Sequence, residues 1–483
     1  MTQDAQPAAT DKHVTAEESE LRKQLLKEPA VRALILSRLA SVLGIATLSY
    51  GAMVYLAVIG APQFMISLMG SSRYLAALLF GIGGGALVDA MSKRTAMVTA
   101  YALQAAACFI VPTIWGTSIP ALIGLTFLIA ALGQIVTPAV KAATALVTTA
   151  AQVAVVSAII SVAGGIGSAL GSTVLAPVLI NVTSMEILVY VCGVVLAVGA
   201  VRALHVPAEA SSTSLLRAAK EIDWRNSVPT LRHTAEWLNG NRKVAMMILV
   251  GSIVIALYDG LNTLLPVYVR DVLKTDPTKS VYILAPGAIG FIVGTALGPW
   301  WMNRRGERAL GVMALMVLSL GYILFGFIDL VAPILAPFSP LRVFELFGAT
   351  VSPQIKAAGL ISILTSLGST GAGAAVQTYV NRYVLISRQA TTFGMEEVTD
   401  NALTLLAILI LGALATVLGS RLVFIVAPPL VVALVIWLVH ICFRITTKDP
   451  PEARDILHQL LGTSREDPAG KALDESTPSN AAS

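Results

Sequence analysis

Between positions 85 and 94 the chain reads Gly85-Ala86-Leu87-Val88-Asp89-Ala90-Met91-Ser92-Lys93-Arg94. The stretch closes an apolar run that carries no charge after Arg73, sets one aspartate at its edge, and follows it with a basic pair. Apolar sequence resumes at Ala96. A tight charged turn between two long apolar segments suits a chain that leaves a lipid bilayer and re-enters it. A spanning helix takes roughly 20 apolar residues, and charges inside it are costly.

Composition points the same way. Of 483 residues, 56% are hydrophobic and 13% are charged, with a mean hydropathy of +0.78. Soluble domains carry about 25% charged residues, so this chain cannot cover its surface with polar groups, and lipid is the expected solvent. The net charge of +5 is then a matter of membrane orientation, not of nucleic-acid binding. Cys108, Cys192 and Cys442 fall inside apolar segments with no CxxC or Cys/His spacing. Neither a disulfide framework, a metal site nor a cofactor is expected. The first thirty residues mix Asp4, Glu17, Glu18 and Glu20 with basic residues. That suits neither a secretory apolar region nor an acid-poor transit peptide, so the first apolar segment is expected to serve as an uncleaved insertion signal.

The hydropathy pattern predicts an all-α membrane protein of about twelve helices, at 34–59, 66–88, 95–115, 119–141, 153–178, 186–203, 243–266, 281–302, 309–329, 355–377, 398–419 and 421–443. The region 330–354, broken by Pro333, Pro337, Pro340 and Pro353, reads as an external loop or a re-entrant piece. On the turns that follow even-numbered helices lie Lys93, Arg94, Lys141, Arg304, Arg305, Arg308, Arg382 and Arg388. The opposite turns hold fewer, among them Arg73, Arg270, Lys274, Lys279, Arg342 and Arg421, partly balanced by acids. The excess of basic residues places both termini in the cytoplasm.

The organisation expected is a cytoplasmic segment 1–33, a six-helix lobe 34–203, a cytoplasmic linker 204–242, a second six-helix lobe 243–443 and a partly disordered tail 444–483. In the linker, Leu215, Ala219 and Ile222 recur at helical spacing beside Arg217 and Lys220, with Trp224 and Trp237 nearby. That pattern fits either a helix on the membrane face or an ordinary tether. The halves echo each other. Gly81 and Gly85 match Gly294 and Gly298, and a second basic turn, Asn303-Arg304-Arg305-Gly306-Glu307-Arg308, stands where the first had Asp89–Arg94.

The 85–94 turn resembles the loop between helices 2 and 3 of the major facilitator superfamily, Gly-x-Leu-Ala-Asp-Arg-x-Gly-Arg-Arg/Lys. Gly85, Leu87, Asp89, Lys93 and Arg94 fall on that pattern, and Ala90 and Ser92 depart from it. The resemblance implies two pseudo-symmetric lobes built from parallel repeats, transport by alternating access, and a cytoplasmic gate. Asp89, Lys93 and Arg94 would form that gate with Asn303, Arg304, Arg305 and Arg308. Gly167-Ser168-Ala169-Leu170-Gly171-Ser172 is similar to the Gly-Pro-x-x-Gly-Gly signature of facilitator antiporters, with Ser168 for the proline and Ser172 for the last glycine. Thr137-Pro138-Ala139 and Leu265-Pro266-Val267-Tyr268 are similar to the exporter branch that includes the enterobactin exporter and macrolide and tetracycline efflux proteins.

Few ionisable groups lie within the apolar segments. Arg38, about one turn into the first helix, reads as a snorkelling anchor. Tyr50, Gln104 and Gln134 can each line a cavity or bond a neighbouring helix. Gln134 stands where many facilitator antiporters carry an arginine. Asp329 is expected to meet water, and Asp400 and Asn401 to open and cap the eleventh helix. Asp259, in Leu257-Tyr258-Asp259-Gly260-Leu261-Asn262, is the sharpest candidate. No basic residue lies within two turns of it in its own helix, so it reads as a site for a proton or a cationic substrate, with Tyr258 and Asn262 as hydrogen-bonding neighbours. A neutral acid bonded to a backbone carbonyl is the alternative.

The expectation is a monomeric secondary transporter of a bacterial inner membrane, with membrane lipid around it and no nucleic-acid partner. It would exchange protons for an amphipathic small molecule. A lipid or lysophospholipid transporter of the same fold is the rival. A membrane-embedded enzyme is a weaker one, since the sequence holds no HExxH, clustered His/Asp pairs or nucleotide loop.

Overall fold

The computed structural model describes residues 25–207, 237–238, 240–347 and 351–446. Linker positions Leu215, Arg217, Ala219, Lys220, Ile222 and Trp224 and the tail beyond 446 lie outside them. Among the described residues are twelve helices long and apolar enough to cross a membrane. The first six are α1 (Pro29–Val58), α2 (Gln63–Asp89), α3 (Lys93–Trp115), α4 (Ile119–Val147), α5 (Ala150–Leu170) and α6 (Met185–Ala203). The second six are α7 (Arg242–Thr263), α8 (Val281–Arg305), α9 (Glu307–Gly326), α10 (Pro353–Tyr383), α11 (Ile386–Leu418) and α12 (Ser420–Thr446).

Local sequence sets the ends. The Ser92 hydroxyl accepts the Thr95 amide at 3.2 Å and starts α3 at once after the charged turn. Ser184 and Ser352 cap α6 and α10 in the same way. Gly306 and Gly419, at φ +83° and +80°, supply the left-handed residue that lets α8 turn into α9 and α11 into α12 without a loop. The 330–354 region is a chain of short helical pieces, Ile328–Leu335, Ala336–Phe338 and Pro340–Phe347. Pro337, Pro340 and Pro353 stand at the starts of helical pieces, where the missing N–H does no harm, whereas Pro333 lies within Ile328–Leu335.

Each half has its own core. One apolar cluster runs from Ile253 to Val439 and holds C-terminal residues, and a second, from Leu25 to Val206, is purely N-terminal. A third N-terminal cluster, built on Leu48, Cys108 and Leu188, admits one residue of the other half, Val267. Val267 lies in the short helix Leu265–Asp271 that prolongs α7. The halves therefore meet at the end of the bundle far from Asp89. Arg270 donates to the carbonyls of Ala57 and Ala61 at 3.1 and 3.4 Å, and Ser280 stands buried beside the Tyr50 hydroxyl.

Small residues set how close the helices come, though in α2 they are not the two that the repeat suggested. A methyl added to Gly84 would strike the carbonyl of Gln134, whereas one on Gly85 would meet nothing and one on Gly81 only the Gln134 side chain at 3.7 Å. Gly84 is thus the contact point of α2 with α4. Gly167 and Gly171 of the antiporter-like motif press α5 onto α1, where added methyls would lie 2.9 and 2.7 Å from the carbonyls of Leu39 and Leu43. There α5 changes hand-hold: Gly171–Leu175 is a π-helical turn, and an α-helix resumes at Ala176–Val182. Such turns occur mostly as single bulges within helices, frequently at functional sites.

Candidate functional site

Asp259 has partners, and they come from the other half. The Tyr74 hydroxyl of α2 donates to its Oδ2 at 2.6 Å, and Arg73 Nη2 lies 3.7 Å from the same oxygen. Arg73 also donates to the Tyr74 hydroxyl and lies over that ring, 4.4 Å from its centroid. The guanidinium, phenol and carboxylate form a charge-assisted chain across the interface. Arg73 is therefore no external-turn residue. It sits ten positions into α2, about 15 Å from the start of the helix. Its side chain is 56% accessible and that of Asp259 is 25%, so solvent can reach the pair. The expectation of an unpartnered Asp259 fails because sequence distance within one helix says nothing of a neighbour 185 positions away.

The surroundings hold the carboxylate in place. Thr263 donates to the Asp259 carbonyl at 2.8 Å, and a methyl on Gly70 of α2 would touch the Thr263 side chain. The Tyr322 hydroxyl donates to the Tyr258 carbonyl at 3.0 Å. Tyr258 itself points to Ser366 of α10 at 3.3 Å, away from the pair, while Asn262 is half-buried on the Asp259 side of α7.

Asp400 and Asn401 do not begin a helix. α11 starts at Ile386, so Asp400 lies about four turns inside it. Its acidic neighbours Glu396 and Glu397 made the stretch read as loop. Asp400 stands beside Ser252 of α7 and feels the charge of Asp259. Carboxylates thus line the α7–α11 side of the interface, opposite Arg73.

The remaining candidates divide. Gln134 bonds its own helix at the Ala130 carbonyl, 3.3 Å away, and Gln104 bonds the Ile129 carbonyl of α4 at 2.8 Å. Gln104 thus ties α3 to α4, whereas the Gln134 side chain stays within α4. Arg38 does not snorkel: it reaches Thr137 of α4 at 3.4 Å and lies against Gly164 of α5. Asp329 pairs with Arg421 at 2.8 Å with both side chains solvated. At the turn, Asp89 is exposed and makes no hydrogen bond or ion pair among the described residues. Lys93 reaches the Met91 carbonyl at 3.5 Å. In the second turn, Arg304 and Arg305 lie over Trp300 and Trp301, and Arg308 reaches Tyr379. The side chain of Asn303 is outside the description. Sequence reading missed the strongest bond there, from Arg382 of α10 to the buried Glu307 at 2.5 Å. A lone Glu at a helix start looks like a solvated cap.

A groove between α9 and α12, lined by Met316, Leu320, Ile323, Val432 and Ile436, is apolar and lies within one half. It offers no charge to a lipid headgroup.

Comparison with known proteins fits this architecture. No curated protein matches the chain significantly. Among solved structures, the nucleoside transporter NupG superposes with a TM-score of 0.63 at 14% identity, covering 84% of this chain and 97% of that one. A bacterial homologue of the human lysosomal transporter Spinster, in an inward-facing and occupied conformation, gives 0.60 at 12%, covering 81% and 83%. A POT family transporter in complex with 5-aminolevulinic acid gives 0.58 at 12%, covering 85% and 96%. At these identities the likeness is one of fold. The profile of the Major Facilitator Superfamily matches residues 34–359, about two thirds of the sequence. This chain is a multi-pass membrane transporter and belongs to the major facilitator superfamily.

Proposed function

We propose that the protein is a proton-coupled exporter of an amphipathic, weakly cationic small molecule in a bacterial inner membrane, with both termini in the cytoplasm. The observation that carries the coupling is the bond chain from Arg73 through Tyr74 to Asp259. It joins the two halves and depends on one negative charge. A proton on Asp259, or a cationic group competing for it, removes the partner of Arg73 and loosens α2 from α7. Loading is thereby linked to movement of one half against the other. The carboxylates of Glu396, Asp400 and Asp259 favour a cation over an acid as cargo. Export rests on the resemblance of Gly167–Ser172 to the antiporter signature, now located at a π-turn where α5 lies on α1. In this reading the Asp89 gate is disengaged in the present conformation and re-forms when the cytoplasmic side closes.

Inverted vesicles with an imposed pH gradient and a lipophilic cationic dye test the reading. Gradient-driven uptake of the dye is expected, and Asp259→Asn should abolish it while counterflow exchange persists. Uptake that ignores the gradient, or survives that substitution undiminished, overturns proton coupling at Asp259. The same vesicles loaded with labelled lysophospholipid examine the rival, which no specific feature of the interface favours.

A further inference from the structure

Hydroxyls inside the spanning helices mostly satisfy themselves by bonding a carbonyl three or four residues back. Thr47, Ser72, Thr126, Thr144 and Thr365 all do so. Ser252 and Thr404 do not. Ser252 is 1% exposed and Thr404 is fully buried; Thr404 Oγ1 has no hydrogen-bond partner among the described residues, and Ser252 Oγ has only the Asp400 carboxylate within reach, without a well-aligned bond to it. Oδ1 of Asp400 is likewise sealed from solvent and accepts no well-aligned hydrogen bond among the described residues. A buried oxygen without a partner costs about 1–3 kcal/mol. Three in one place call for a common occupant.

They are in one place. Ser252 stands against the Asp400 carboxylate, and Thr404 lies one helical turn beyond Asp400 on the same face of α11. α7 and α11 pack along their length in parallel: a methyl on Gly260 would touch Ala407 and Leu411, which brings Ser252, two turns earlier, to the level of Asp400. Asp259 acts on this carboxylate from farther along α7 and Glu397 from one turn earlier on α11. The neighbouring charge is thus negative, and Arg73 is already engaged with Asp259.

We propose that Ser252, Asp400 and Thr404 form a site for a monovalent metal cation, sodium by its chemistry. One carboxylate and two hydroxyls are hard oxygen donors, and a single negative charge balances a single positive one. A divalent ion would ask for more carboxylates or for several retained waters. Soft or nitrogen-loving metals have nothing to bind here, since no cluster of three His, Cys, Asp or Glu able to hold a metal occurs among the described residues. Asp400 as a whole is only half-buried, so the site is not closed off. An ion there would bind α7 to α11 just below Asp259 and screen the mutual repulsion of the two aspartates. The proposal stands apart from proton coupling at Asp259, since either can hold without the other.

The test uses the purified full-length protein in detergent, unfolded by heat in sodium chloride or in choline chloride at equal ionic strength. A saturable rise in Tm specific to sodium is expected, matched by equilibrium binding of radioactive sodium. Asp400→Asn should remove both. Ser252→Ala and Thr404→Ala should raise the half-saturating sodium concentration about tenfold while leaving Tm in choline near that of the parent. These two conservative variants keep the test decisive if the Asp400 variant does not fold. Equal Tm in sodium and choline for the parent protein overturns the proposal. So does a sodium response retained in the Ser252 and Thr404 variants, or a Tm that follows pH and ignores sodium.

Discussion

Asp259→Asn is the substitution that most directly addresses how the halves are held together. It keeps the volume and leaves Tyr74 an acceptor, but removes the charge facing Arg73. At 3.7 Å and an effective dielectric of about 20, the pair is worth about 4.5 kcal/mol. With the Arg73 side chain 56% accessible, screening and side-chain entropy reduce that to about 1 kcal/mol. The Tyr74 bond to a charged acceptor, 2.6 Å long, contributes about 2 kcal/mol, of which a neutral amide retains about half. The loss is then about 2 kcal/mol, close to a 30-fold shift in the ratio of sealed to open interface. Ser280, fully buried at the seal, reports on that ratio. A cysteine introduced there should react with an impermeant maleimide at least tenfold faster in the Asp259→Asn background. An unchanged labelling rate, together with unchanged gradient-driven transport, would refute the idea that this chain of bonds holds the halves together.

Other substitutions address separate parts of the molecule. Asp89→Asn should lower transport while expression and insertion stay near normal, and normal transport would return Asp89 to the status of a solvated turn residue. Gly84→Ala forces a methyl against the Gln134 carbonyl and should cost about 1–3 kcal/mol of stability, read as a lower Tm, whereas Gly85→Ala should be near neutral. Arg382→Ala leaves Glu307, only 6% accessible at its side chain, buried without its partner. A loss of about 2 kcal/mol is expected, less than for a fully buried pair because Arg382 is half solvated, and Glu307→Gln in the same background should recover part of it. For orientation, cysteines at positions 212 and 476 should need permeabilised membranes to react, while Lys279→Cys should label from outside. Lys279 is the better external probe because its neighbour Thr278 is buried against the Asp276 carboxylate.

The fold was legible because lipid imposes a length and a hydropathy on each element that local sequence must display. All twelve spans can be read this way, and the ends fail where polar residues extend a helix beyond the apolar slab. α11 is 33 residues long, about 50 Å, which exceeds a hydrocarbon layer of about 30 Å. Its first turns therefore carry Glu396 and Glu397 and resemble a loop. The site was half legible. Asp259 stands out as a lone charge in an apolar run, but the identity of its partner depends on which face of α2 meets α7, and one chain's pattern does not encode that. Arg73 was misplaced for this reason. Ser252 and Thr404 were invisible, since a hydroxyl that bonds its own helix and one that does not are the same letter.

The clasp between Arg270 and the end of α1 has one side made of carbonyls, that of Ala57, which also accepts the Gly60 amide, and that of Ala61 in the turn after the helix. Every amino acid brings the same carbonyl. Apart from Gly60, whose φ of +73° disfavours a side chain, residues 57–61 can therefore change side chain, size permitting, without loosening the grip, whereas Arg270 has no such freedom. A mutational scan across this contact should be lopsided: quiet along the end of α1 except where bulk intrudes, and intolerant at one guanidinium. On the side of α1 the contact is one that point mutation cannot easily erase; on the side of α7 a single substitution removes it.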